Sequence, residues 1–456
     1  MASTSRPSTT AMQVHLSKSM AILIGCLVVA PWSVVIWILL HKPHVVAVSA
    51  PAQHTAAPTT AVTTSPGVAV TQPDAVNIVG SRATTQASLE VTASRPGPWG
   101  RLEHVPIVLE LPDEYVFVPP ENFPPVKWTF PDFSRAQAMA FLTEAGLTRP
   151  QLEQLEKAKW STVANGSVVE PGDPLILAIS TEARKNIYSR LMQFKDNQRV
   201  IDPYWYRPGI VDHRLRGSEL SEASVQLLKK LLYPGGRNLL LFADIEPAVR
   251  SISDPAERQK FMKTISRKRS LIARAIITKE TDINAMAEYW GVDGRQKDLV
   301  PLLSALRYNN VAGFVETPKV NLLLLLPPFA RDRLYNHPFS KEQSSGEKED
   351  CFWSAFNFFN PDPDYRLNDL AYAAQVLQKD YYKIAQPGRL GDLILLADAG
   401  GNAVHAASFI ADDIVFTKNG ENYTQPWILM RMEDMLDTYR IKTQDLQVLC
   451  YRKKNI

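Results

Sequence analysis

Near its start the chain carries an uncharged apolar run, Met20 to Leu40, with one strong helix breaker, Pro31. Coiled as a helix, residues 20–40 rise about 30 Å, enough to cross a hydrocarbon core, and a proline is tolerated in lipid. The pattern predicts a single-pass transmembrane helix over 20–40. A cleaved signal peptide would carry a shorter apolar core of about 7–15 residues. Val48-Ser49-Ala50 offers small residues for cleavage, but Pro51 follows at once. Arg6 and Lys18 precede the run and Lys42 follows it. That bias predicts a cytoplasmic N-terminus, residues 1–19, with the bulk of the chain extracytoplasmic. The lipid bilayer is then one partner.

Residues 43–103 show no sustained period of 2 or 3.6 and are rich in Ala, Thr, Val and Pro. Such a segment buries too little surface to offset its ordering entropy and reads as a disordered linker. Residues 104–340 read as a mainly helical domain with an extended, Pro-punctuated strap at its start. Ser134, Thr148, Ser180, Ser221 and Asp254 each precede a helical pattern as a cap. Gly146 and Pro234-Gly235-Gly236 stop two of these helices. The apolar run Val320–Leu326 fits a buried strand or helix.

After the polar stretch Lys341–Asp350 the pattern changes again. Cys351-Phe-Trp-Ser-Ala-Phe-Asn-Phe-Phe359 reads as an aromatic helix beginning at the cysteine, and a second helix is predicted over 367–384. Strands follow at LILLA, His405–Ala411, Ile414–Lys418, Pro426–Arg431 and Leu446–Tyr451, with turns at Ala399–Asn402 and Asp412-Asp413. A helix followed by an antiparallel sheet is an α+β layout, and the domain spans 345–456.

Composition narrows the function. Lys and Arg total 50 against 47 Asp and Glu, a formal charge of +3, and this balance argues against a nucleic-acid binder. The basic run Lys260, Lys263, Arg267, Lys268, Arg269, Arg274 reads as a solvated face, with few aromatics near it to stack bases. Pro234-Gly-Gly-Arg237 lacks the Lys-Ser/Thr ending of a phosphate loop. His213 and His337 have no partner at metal-ligand spacing. Three cysteines, Cys26, Cys351 and Cys450, exclude a disulfide scaffold. Cys26 sits in the apolar run, and Cys450 reads as core.

Cys351 is the residue with chemistry. A thiol at a helix start feels unpaired N–H groups and the positive end of the dipole, which favour thiolate. His405 is the only histidine after it. A thiol–imidazole pair needs a third polar group to orient the ring. Thr417 and Asn419 share one face of the return strand by period 2, and the Asn419 amide is the favoured candidate, since its carbonyl can fix the imidazole.

Asp350-Cys351 at a helix start, Pro387…Gly391-Asp392-Leu-Ile-Leu-Leu before a strand, and His405 opening a hairpin together resemble the NlpC/P60 papain-like superfamily. The resemblance covers residues 345–452. It implies an extracytoplasmic cysteine peptidase or amidase, with Cys351 as nucleophile, His405 as base and Thr417 or Asn419 orienting it. It also implies cell-wall (peptidoglycan) peptides as substrate and no metal or organic cofactor. Phe352-Trp353 stand where that family usually has Ser-Gly, and the third position holds no His. The alternative expectation is a non-catalytic envelope scaffold with a degenerate papain-like domain.

Overall fold

The computed structural model describes residues 91–163, 166–236, 239–313, 317–338, 348–440, 443 and 445–456. The expected transmembrane helix at 20–40, the N-terminus before it and most of the linker lie outside the described residues. Among the described residues no helix is long and apolar enough to cross a membrane. The fold is α+β, with four sheets among the described residues and helices packed on them.

Local signals account for several helices of the middle region. Ser134 and Thr148 form capping boxes with Gln137 and Gln151 ahead of Arg135–Glu144 and Arg149–Glu156. Ser180, Ser221 and Asp254 accept backbone N–H groups at the starts of Thr181–Leu191, Glu222–Leu231 and Pro255–Ser266. Two cores lie here, one around Trp128, Phe130, Ile187 and Tyr188, the other around Leu228, Phe242 and Phe261. In the first, Asp244 accepts hydrogen bonds from Arg184 Nε at 2.8 Å and from the Tyr188 hydroxyl.

The strap is a strand. Arg101–Leu109 pairs antiparallel along its whole length with Lys268–Ile276. The expected linker over 43–103 therefore ends earlier than its composition implied. Thr92–Ala93 pairs with His104 and Glu103. Trp99 anchors this stretch by packing edge-on against Tyr289 and Phe409, an apolar gain that offsets the entropy of ordering it. Lys319–Asn321 completes this four-stranded sheet, so Val320–Leu326 divides into a short strand and the 3-10 turn Leu322–Leu324.

The C-terminal sheet has six antiparallel strands in the order Tyr381–Ile384, Gln447–Lys453, Leu393–Ala397, Ala403–Ala411, Ile414–Lys418, Trp427–Arg431. The second helix is shorter than expected. It runs Leu370–Asp380, and Tyr381–Ile384 turns into an edge strand because its backbone finds partners on Cys450–Lys453. Tertiary pairing here overrides helical continuation. A helix the sequence reading did not mark, Met432–Arg440, follows the last hairpin.

One hydrophobic core crosses residue 340. It joins Leu102, Leu271, Trp290 and Phe329 to Cys351, Trp353, Phe416 and Leu429. Ser270 Oγ donates to Leu429 O at 3.2 Å and accepts Leu429 N–H at 3.1 Å, so the strand Lys268–Ile276 abuts the outer strand of the C-terminal sheet.

Candidate active site

The helix Cys351–Phe356 is apolar except for Ser354, which favours burial on every side. All six of its residues are buried. Asp350 caps it, Oδ1 accepting Trp353 N–H at 2.8 Å, and Ser354 Oγ accepts the Trp427 indole N–H at 2.8 Å. The helix packs on the strand Ala403–Ala411, where Ser408 Oγ donates to Ala355 O at 3.4 Å. The backbone N–H of Ala406, the neighbour of His405, favours the Cys351 thiolate. Cysteine helix and histidine strand are thus brought together.

His405 is fully buried. Its Nε2 lies 2.9 Å from Thr417 Oγ1, and Thr417 Oγ1 donates to the carbonyl oxygen of Ala406 at 3.1 Å. A hydroxyl has one hydrogen. Once Thr417 gives its own to Ala406, it can only accept from the ring. In that arrangement the ring proton sits on Nε2 and Nδ1 carries the lone pair. Nδ1 is buried without a hydrogen-bond partner. Among the described residues no hydrogen bond joins this nitrogen to the Cys351 sulfur, and His405 is not among the residues lining the cavity described below.

The hydrogen bond to the imidazole comes from Thr417 and not from Asn419. The strand ends at Lys418, where Nζ donates to the carbonyls of Gly420 and Asn422 at 2.7 and 3.0 Å. The alternation that would align Asn419 with Thr417 stops there. Asn419 Nδ2 instead points at Met430 Sδ, 3.7 Å away. Asn419 still lines the cavity described below.

Electrostatics leave both Cys351 and His405 neutral. Burial pushes the Cys351 thiol well up, the Asp350 carboxylate pushes it further, and Ala406 N–H and Lys418 pull in the opposite direction. Burial lowers His405 to about 3. Lys418 is itself lowered to about 8, chiefly by burial. The helix-start location alone predicted a thiolate; desolvation of a fully enclosed helix outweighs it.

Sequence reasoning missed Tyr439. Its ring stacks on His405, with centroids 4.1 Å apart and planes at 21°. Its signal was present: Met432, Met435, Leu436 and Tyr439 recur at i, i+3, i+4 and i+7.

The sulfur end of the site opens on a cavity of about 670 Å³ between the middle region and the C-terminal sheet. Asp350, Cys351, Phe352, Asn419 and Tyr439 form one side, and Tyr204–Tyr206, Arg214 and Lys268–Leu271 the other. Cys450 lies away from it, buried in the strand Gln447–Lys453 against Ile394. Among the described residues no cluster of His, Cys, Asp or Glu could hold a metal ion. No family model, curated protein or solved structure matches the chain.

Proposed function

We propose that this protein is an extracytoplasmic cysteine hydrolase, anchored through residues 20–40, that cleaves peptide or amide bonds of cell-wall peptides. The observation that carries the reading is the histidine. With Thr417 accepting the Nε2 proton, His405 keeps an unpartnered Nδ1 on the strand against which the Cys351 helix packs. A structural histidine buried in a sheet would be expected to satisfy both nitrogens. The adjoining cavity gives a substrate access to the sulfur.

The neutral pair fits a concerted start. As Sγ attacks the carbonyl carbon, its proton passes to His405 Nδ1, and a carbon–sulfur bond forms. The imidazolium then gives that proton to the departing amine as the carbon–nitrogen bond breaks. Water adds to the thioester carbon with Nδ1 as base, and the acid leaves with Cys351 restored. Thr417 keeps the ring in one tautomer throughout.

A second reading, an envelope binding module, draws on the enclosure of both groups: Cys351 is 6 % exposed and His405 0 %. The two readings separate on one experiment. The full chain is treated with an acyl-type thiol-directed probe and with peptidoglycan fragments. A hydrolase labels at Cys351, cleaves the fragments, and loses both properties in Cys351→Ala and cleavage in His405→Ala. Fragments bound but never cut by the wild-type chain would establish the binding module.

A further inference from the structure

The cavity wall facing Cys351 carries an excess of positive charge. Its arginines are engaged. Arg207 pairs with Asp434 and Asp437 at 2.6 and 2.8 Å. Arg269 lies 3.6 Å from Asp434. Arg214 donates to the carbonyl of Trp205 at 2.8 Å and to that of Arg267. On the opposite side, Asp350 is committed to the helix cap and Glu421 pairs with Lys348 at 2.7 Å.

Lys268 is different. Its Nζ stands 5.2 Å from the centre of the Tyr204 ring, and among the described residues no carboxylate pairs with it. The nearby Arg214 is a second cation that is bonded to carbonyls alone. Burial and Arg214 bring Lys268 down to about 7. The fold therefore places the Lys268 amine in a partly dry cavity beside like charge, an arrangement that disfavours its charged form until an anion arrives.

We propose that Lys268 is a specificity-determining residue that binds a free carboxylate of the substrate, so that the middle region selects anionic peptides for Cys351. The aromatic strand Tyr204–Tyr206 lines the same wall and offers apolar faces to the peptide beside that carboxylate. The proposal rests on the hydrolase reading for the place of the scissile carbonyl, but its test needs no catalysis.

The test uses the full chain with Cys351→Ala and two probes, N-acetylated dialanine with a free C-terminal carboxylate and the same peptide as its C-terminal carboxamide. Calorimetry should show the carboxylate form bound about tenfold more tightly, as one charge-assisted hydrogen bond supplies. Adding Lys268→Gln should abolish that preference while leaving carboxamide affinity unchanged, which reports an intact cavity. Adding Lys268→Arg should keep it. Equal affinities in the parent, a preference that survives Lys268→Gln, or no measurable binding of the carboxylate peptide would each overturn the proposal. Failure of the hydrolase reading would appear elsewhere, as absent cleavage of wall fragments by the wild-type chain.

Discussion

Tyr439 lies face-on over His405, its ring centroid 4.1 Å from that of the imidazole, and the same tyrosine lines the cavity that reaches Cys351. The ring is a cover: it keeps water from a histidine that burial holds near 3. Removing it should hydrate the imidazole and widen the approach to the sulfur. In Tyr439→Ala the rate of Cys351 alkylation by iodoacetamide is expected to rise by about tenfold or more, and the His405 titration to move up toward 6.5. Tyr439→Phe should leave both unchanged. An alkylation rate in Tyr439→Ala equal to that of the wild type would show that the ring does not control access.

Thr417 sets the tautomer. Thr417→Val removes the acceptor of Nε2–H and leaves a methyl in its place, so the ring is free to carry its proton on either nitrogen. Nitrogen NMR of His405 should show one tautomer in the wild type and a mixture in Thr417→Val. On the proposed hydrolase reading, turnover of wall peptides should fall by about 10²-fold, at the lower end for a disabled general base, with KM little changed. Thr417→Ser restores the relay and should restore the rate.

How far this site was legible can be judged residue by residue. Cys351 at a helix start, His405 on a strand and the caps at Ser134, Thr148 and Ser180 follow from local rules, because a cap or a turn is specified by the few residues around it. The choice between Thr417 and Asn419 did not follow. Period 2 places them on one face only while the strand lasts, and Lys418 ends it by bonding the carbonyls of Gly420 and Asn422. Lys268 was hidden inside a basic run that looked like one solvated face. The run in fact crosses from the helix Pro255–Ser266 into the strand Lys268–Ile276. Arg267 there turns inward to Glu110, and Lys268 faces the cavity. Side-chain direction at such a junction depends on which partner strand arrives, here Arg101–Leu109 from far along the chain.

Burial of His405 couples folding to pH. In the unfolded chain the imidazole takes its proton near 6.5, and in the folded protein only near 3. Above the unfolded value neither state is charged, and the contribution to stability is complete. As pH falls between 6.5 and 3 the unfolded state binds the proton first, so stability is lost by about 1.4 kcal/mol per pH unit. His337, lowered to about 4 by burial and by Lys268 and Lys418, adds a slope of the same sign. Urea unfolding of wild type and His405→Phe from about pH 7 to about pH 5 isolates the His405 share, since His337 is common to both. Parallel curves would mean that the imidazole is not desolvated.

Gly391-Asp392, just before the strand Leu393–Ala397, act as a clamp. Asp392 accepts Gly388 N–H and Arg389 N–H at 2.7 and 2.8 Å and pairs with Arg452 through two contacts of 2.7 Å. It ties the turn before Leu393–Ala397 to the C-terminal strand. Replacing it by Asn leaves the Arg452 guanidinium without its carboxylate and should cost about 3–5 kcal/mol, as for other buried pairs broken on one side. Gly391 has φ of +77°, and an added Cβ would meet the Phe359 ring at 2.1 Å. Gly391→Ala should therefore also destabilise the fold, by calorimetry, through both strain and overlap.

Asp350 acts on Cys351 in two opposed ways that a pair of variants separates. Its carboxylate caps the helix, and its charge raises the thiol. Asp350→Asn keeps a carbonyl oxygen to accept Trp353 N–H but removes the charge, so the midpoint of Cys351 alkylation against pH should move down with stability nearly unchanged. Asp350→Ala removes both; the midpoint should again move down, while stability falls by about 1 kcal/mol with the lost cap. Lys418 pulls the thiol the other way, so Lys418→Met should move the midpoint up. Because the sulfur is enclosed, these shifts should exceed those of an exposed thiol beside the same charges, as the lower local dielectric requires. Midpoints that coincide in all three variants would show that the sulfur is screened by water, and the enclosed neutral pair would have to be abandoned.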